Sequence, residues 1–128
     1  MRIGLWCVAI ASLVTTGLLL GCTGGVTRPT YPAVTGGFEK RGKQLIDDRK
    51  CGSCHTIPGI DGAHGVFGPP LTSFGARTYI AGEFPNAPNY LVPWIMAPQS
   101  MKPKTSMPNL GLSEQQARDV AAYLYTLR

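Results

Sequence analysis

The sequence predicts an all-α domain of about three to five helices joined by long irregular loops, and three observations lead there. Apolar residues recur at helical spacing near both ends of residues 38–128, no run alternates as a strand would, and glycine and proline make up about a fifth of the chain. That content suits long loops and stays below the roughly 25–30% of low-complexity disorder. At 128 residues the chain has the length of one domain, too short for an α/β barrel or a two-domain dehydrogenase. A domain this small buries only about two-thirds of its unfolded surface, so something besides side chains is expected to fill its core.

The first element is not part of that domain. Residues 3–20 are mostly apolar and uncharged behind Arg2, which reads as an export signal over residues 1–21. Its end, Leu19-Leu20-Gly21-Cys22, resembles the lipobox of bacterial lipoproteins, which implies a lipid on Cys22. Ordinary cleavage, or an uncleaved anchor of marginal length, remains open and exports the rest equally. Residues 22–37, rich in Gly, Pro and Thr, read as a linker that as a coil would reach about 20 Å. The folded domain is expected over residues 38–128.

Within it, residues 38–50 form the first expected helix, with Phe38, Leu45 and Ile46 apolar among charges. Gly42 inside it costs about 1 kcal/mol relative to Ala, which a close helix crossing would offset. A helical turn is expected around residues 77–81, and a helix over 91–97 capped by Asn89, with Pro93 in its first turn and Pro98 ending it. The best-defined helix is 114–127: Ser113 and Gln116 make a capping box, and Ala117, Val120, Ala121, Leu124 and Leu127 make the apolar stripe.

Between the first two lies Cys51-Gly52-Ser53-Cys54-His55, the attachment sequence for c-type haem. Two thiols at i and i+3 and an imidazole at i+4 fall on one face of a helical turn. Cys51 and Cys54 can add to the two vinyl groups of one haem while His55 reaches its iron. A disulfide or a thioredoxin-like pair has the same Cys spacing, but neither explains the histidine, and no strand-helix-strand pattern surrounds it. A structural zinc site needs four ligands, and the other histidine, His64, lies in a Gly-rich loop at an untypical spacing.

The second axial ligand is expected from Met107, in the irregular Thr105-Ser106-Met107-Pro108 before the last helix, with Met101 as the alternative and Met96 as core. A thioether favours Fe(II) and raises the potential relative to bis-His.

Gly42, the CGSCH motif, Gly68-Pro69-Pro70-Leu71, Met107-Pro108 and Tyr123-Leu124 together resemble class I cytochromes c over residues 38–128. The resemblance implies that fold, wrapped around one covalently bound haem c. It implies that the Pro69 carbonyl accepts a hydrogen bond from His55 Nδ1, that Gly42 packs against Val120 and Tyr123, and that Arg77 contacts a haem propionate. Residues 91–108, with Trp94-Ile95, Pro98-Gln99, Lys102-Pro103 and Met107-Pro108, further resemble the cytochrome c domain fused to subunit II of some haem-copper oxidases. That implies Trp94 beside the Met ligand and Thr105 near a propionate; Lys104 stands where that pattern has Gly. The residues present supply no copper-binding domain, so a separate cytochrome resembling that domain is expected.

The expected function is single-electron transfer in a respiratory chain by a membrane-tethered, non-enzymatic cytochrome, with a terminal haem-copper oxidase as partner. Arg49, Lys50, Lys102 and Lys104 are candidates for a basic docking rim. The alternatives are a cytochrome subunit of a periplasmic dehydrogenase complex and a five-coordinate ligand-binding haem protein. The formal net charge of +5 includes no dense basic run, and export argues against nucleic acid as a partner.

Overall fold

The computed structural model describes residues 33–128; the expected leader, Cys22 and most of the linker lie outside the described residues. The elements in order are α1 (Glu39–Asp48), a 3-10 turn (Cys51–Ser53), a second 3-10 turn (Phe74–Ala76), β1 (Tyr79–Ile80), β2 (Phe84–Pro85), α2 (Pro88–Met96), α3 (Pro98–Met101) and α4 (Glu114–Leu124). No helix among the described residues is long and apolar enough to cross a membrane.

The frame is the crossing of α1 and α4. α4 starts where its cap predicts: Ser113 Oγ accepts from the Gln116 amide and the Gln116 side chain accepts from the Ser113 amide. Its stripe, Ala117, Val120, Ala121 and Leu124, is buried. The helix ends at Leu124, and Leu127 closes a tight turn on the Leu124 carbonyl. Gly42 is buried against the Asp119 backbone, which a Cβ at that position would strike. The crossing is therefore at Asp119–Val120. Tyr123, one turn on, donates its hydroxyl to the Pro58 carbonyl at 2.7 Å.

Asp119 is the buried polar exception on α4, only 2% exposed. It accepts from the Phe38 amide at 2.9 Å, Arg41 Nε at 2.8 Å and Gln115 Nε2 at 3.0 Å, so the start of α1 is tied to the middle of α4. The end of the expected linker joins this corner: Gln115 Nε2 also donates to the Gly36 carbonyl at 2.7 Å, and Gly37 lies against α4.

The middle of the chain differs from expectation in three places. The helical turn comes earlier, at Phe74–Ala76, and residues 79–80 are extended instead. There they pair antiparallel with residues 84–85 in a two-residue ladder, too short for any alternation to mark. α2 begins three residues before Leu91, with Ala87 as N-cap and Pro88 in its first turn; proline is favoured at that position because its missing N–H has no partner there. Asn89 therefore lies inside the helix, and Pro93 falls in its second turn. Pro98 both ends α2 and opens the short α3.

Candidate functional site

A cavity of about 520 Å³ opens among these elements, and Cys51, Cys54, His55, Trp94, Thr105 and Met107 all line it. Its volume falls within the roughly 300–1,000 Å³ of small-molecule and cofactor pockets. Buried Ile46, Leu91, Val120 and Leu124 supply apolar walls.

The attachment turn is set by α1. Lys50 takes a left-handed conformation (φ 55°) that stops the helix, and the chain turns at once into Cys51–Ser53. The His55 amide returns to the Cys51 carbonyl at 3.0 Å, a helical turn that puts both thiols and the imidazole on the cavity. Cys51 and Cys54 are not joined in a disulfide, and each is partly exposed. Burial pushes the Cys51 thiol up, as does the neighbouring Cys54, against the lowering by its own backbone hydrogen bond and by Arg49.

His55 is held from two sides. Its Nδ1 lies 2.7 Å from the Pro69 carbonyl oxygen. A carbonyl only accepts, so Nδ1 carries the proton and Nε2 keeps its lone pair. Gly68 presses on the ring, where a Cβ would stand 2.7 Å from Nδ1 and 2.9 Å from Nε2. The strap 68–71 runs beside the motif, with the Gly68 amide donating to Cys54 and the Leu71 amide to Thr56, both at 2.8 Å. A proton-bearing Nδ1 beside a carbonyl is the outer support that fixes a metal-binding imidazole.

Met107 lines the cavity, while Met96 and Met101 do not; both of those pack against the core from outside it. Thr105 Oγ1 accepts from the Met107 amide at 3.3 Å. Trp94 is 9% exposed and tilts against Phe84, centroids 6.1 Å apart. Arg77 also reaches the cavity, donating to the Pro70 carbonyl and, at 3.1 Å, to that of Thr72. His64 is exposed and bridges to Thr56 through the backbone, away from the cavity. Among the described residues no group of three His, Cys, Asp or Glu could hold a metal ion, so the zinc reading finds no donor set.

Two thiols, an oriented imidazole and a thioether lining one apolar cavity fit a haem that Cys51 and Cys54 would fasten and His55 and Met107 would hold.

Of the four cations of the expected basic rim, three have partners within the chain and Lys104 is exposed. Lys50 pairs with Asp47 at 3.2 Å, Lys102 with Glu83 at 3.6 Å, and Arg49 donates to the Leu110 carbonyl at 2.6 Å. Sequence reasoning sees these cations as neighbours in number and misses their partners, of which Leu110 is 61 residues away. The rim also carries exposed apolar groups, Phe67 at 76% and Tyr79 at 59%, both on the cavity.

Comparison with known proteins agrees with this chemistry. The family model described as Cytochrome c matches residues 39–128. The chain is 36% identical over 89 residues to cytochrome c oxidase subunit 2 of Alkalihalophilus pseudofirmus, covering 69% of this chain and 25% of that protein. It is 31% identical over 101 residues to the same oxidase component of a Bacillus species, covering 76% and 28%. A nitric oxide reductase subunit of Stutzerimonas stutzeri is 34% identical over 104 residues, covering 77% of this chain and 67% of that protein. The chain thus spans about a quarter of the oxidase subunits it matches and about two-thirds of the reductase subunit.

Proposed function

The chain belongs to the cytochrome c family, and from that membership we propose that it is a membrane-tethered carrier of single electrons with one haem c. In this reading a terminal haem-copper oxidase is its acceptor. Family membership implies covalent haem c and electron transfer; the single CGSCH motif supports one haem. The observation that carries the reading is the arrival of His55 and Met107 on one cavity.

Haem c, when bound, would supply one-electron redox chemistry at its iron, between a reduced donor and an oxidised acceptor. The residues of the chain do the rest. Cys51 and Cys54 fasten the group, and the Pro69 carbonyl and Gly68 hold the His55 ring in one orientation. Met107, on the same cavity, would hold the group together with His55, and in this reading the protein carries electrons without converting a substrate. Trp94, Ile46 and Leu91 exclude water from the cavity walls. Arg77 and Thr105 are the side chains proposed for the propionates.

The matched oxidase subunits support the choice of acceptor. The proposed tether is a lipid on Cys22, supported by the lipobox-like Leu19-Leu20-Gly21-Cys22, with the haem domain on the extracytoplasmic face. A second reading, a fixed component of a respiratory complex, is favoured by the reductase match over two-thirds of that protein; copurification of the intact membrane complex separates it from a free carrier.

Visible and near-infrared spectra of the holoprotein beside Met107→Ala and Met101→Ala test the ligation. The charge-transfer band from Met sulfur to Fe(III) is expected to vanish in Met107→Ala alone. Its survival there, or ready carbon monoxide binding by the reduced native protein, overturns the closed-site reading.

A further inference from the structure

The segment that carries Met107 runs from Lys102 to Leu112, between α3 and the cap of α4. Its hydrogen bonds to the rest of the domain are few and lie near its ends. At the start, Lys102 Nζ donates to the Ala81 carbonyl at 2.9 Å and pairs with Glu83. Between residues 103 and 109 every hydrogen bond stays within the segment: the Thr105 amide to Lys102, the Met107 amide to Thr105 Oγ1, and the Gly111 amide to Asn109 Oδ1. Leu112 is buried in the core at 6% exposure and anchors the end next to α4, while Met107 and Leu110, nearer the middle, are only partly buried against the core by apolar contact, which is non-directional. Past that turn onto Lys102, residues 103–112 are tied to the α1 side of the domain by the hydrogen bond from Arg49 Nη1 to the Leu110 carbonyl, at 2.6 Å.

Arg49 is the C-cap of α1, two residues before Cys51. It belongs to the wall that bears the thiols and His55, while Leu110 belongs to the wall that bears Met107. We infer that Arg49 is a positioning residue for Met107: its guanidinium joins the two walls, fixes the separation between the His55 and Met107 sides of the cavity, and so resists displacement of the thioether. The inference rests on Met107 as the distal ligand. It goes beyond that ligand set, because Arg49 touches neither His55 nor Met107 and acts through the backbone three residues past the sulfur. The same bond removes Arg49 from the docking surface.

A competing ligand measures how firmly the sulfur is held. Imidazole is titrated into the ferric holoprotein, and loss of the Met charge-transfer band gives its affinity. A hydrogen bond from a charged donor is worth enough that its loss should shift this affinity by about tenfold. Arg49→Met and Arg49→Gln are expected to bind imidazole about tenfold more tightly while retaining the band without imidazole. Arg49→Lys, which keeps a cationic donor, is expected to return toward the native affinity. Arg41→Gln weakens the α1–α4 corner instead and should lower the melting temperature without changing imidazole affinity. Native affinity in both Arg49→Met and Arg49→Gln, or an equal rise in Arg41→Gln, overturns the inference. A native ferric protein without the band overturns the Met107 ligation itself, a separate outcome.

Discussion

Gly42 meets the Asp119 backbone with no room for a side chain, and this contact sets how closely α1 approaches α4. A methyl group at residue 42 would enter the space of the Asp119 carbonyl, and two backbones cannot yield as a flexible side chain can. Gly42→Ala is therefore expected to destabilise the holoprotein by about 2–3 kcal/mol, despite the better helix propensity of alanine. Thermal melting checks this, with a drop of about 4–8 °C for each kcal/mol in a domain of this size.

Asp119 gives the same corner a pH dependence. Burial raises its carboxyl pKa, but hydrogen bonds from Arg41, the Phe38 amide and Gln115, with the charge of Arg41, outweigh burial and hold it below the usual carboxylate range. A folded value below the unfolded one means that the stabilisation is complete above about pH 4 and is lost as pH falls through the folded value. Asp119→Asn is expected to be less stable at neutral pH and to lose less on acidification. Denaturant melts at a series of pH values compare the two slopes; parallel acid limbs would remove Asp119 from the account.

Gly68→Ala tests the support of the proximal ring. The added Cβ would press on His55, displacing the imidazole from the Pro69 carbonyl and reducing its basicity. A weaker donor stabilises Fe(III) less, so the reduction potential is expected to rise, by about 50 mV against the 59 mV of a tenfold change for one electron. Potentiometric titration reads the shift, and a lower potential would contradict the role given to Pro69.

The rim predicts how the electron partner is met. Lys50 and Lys102 are paired with carboxylates and Arg49 is bound to a carbonyl, while Phe67 and Tyr79 are exposed at the cavity mouth. The second-order rate of electron transfer to a membrane acceptor should therefore vary with ionic strength by well under the roughly tenfold or more of a steered encounter. Stopped-flow rates at low and physiological salt check it. A steep fall with salt would return the lysines to the docking surface.

What the sequence discloses follows the range of the interactions. The attachment motif is legible because its chemistry is contiguous, and α4 because its cap and stripe lie within fifteen residues. The crossing at Gly42 is legible too, with Val120 at it as expected, but the nearest atoms are those of the Asp119 backbone, since an aspartate among helix residues gives no sign of burial until Arg41 and Phe38 are folded onto it. The start of α2 is easily misread because Asn89 is a good cap by type, whereas Pro88 in the first turn is the stronger constraint. The 79–85 ladder has two residues a side, below the length at which alternation is a signal. Met107 stands out by its loop, and folding removes Met101 and Met96 from the cavity. Arg49 is visible only as a charge, because its partner is 61 residues distant.

The two ligand-bearing walls differ in how far along the chain their ties reach. His55 is fixed by Pro69, 14 residues on, whereas Arg49 reaches Leu110 over 61. Treated as flexible loops, the longer closure costs about 1.3 kcal/mol more chain entropy than the shorter. The proximal wall is therefore a local structure that a growing or refolding chain can complete early, and the distal strap waits on the whole domain. By chain entropy alone, the strap with Met107 closes after the strap that holds His55.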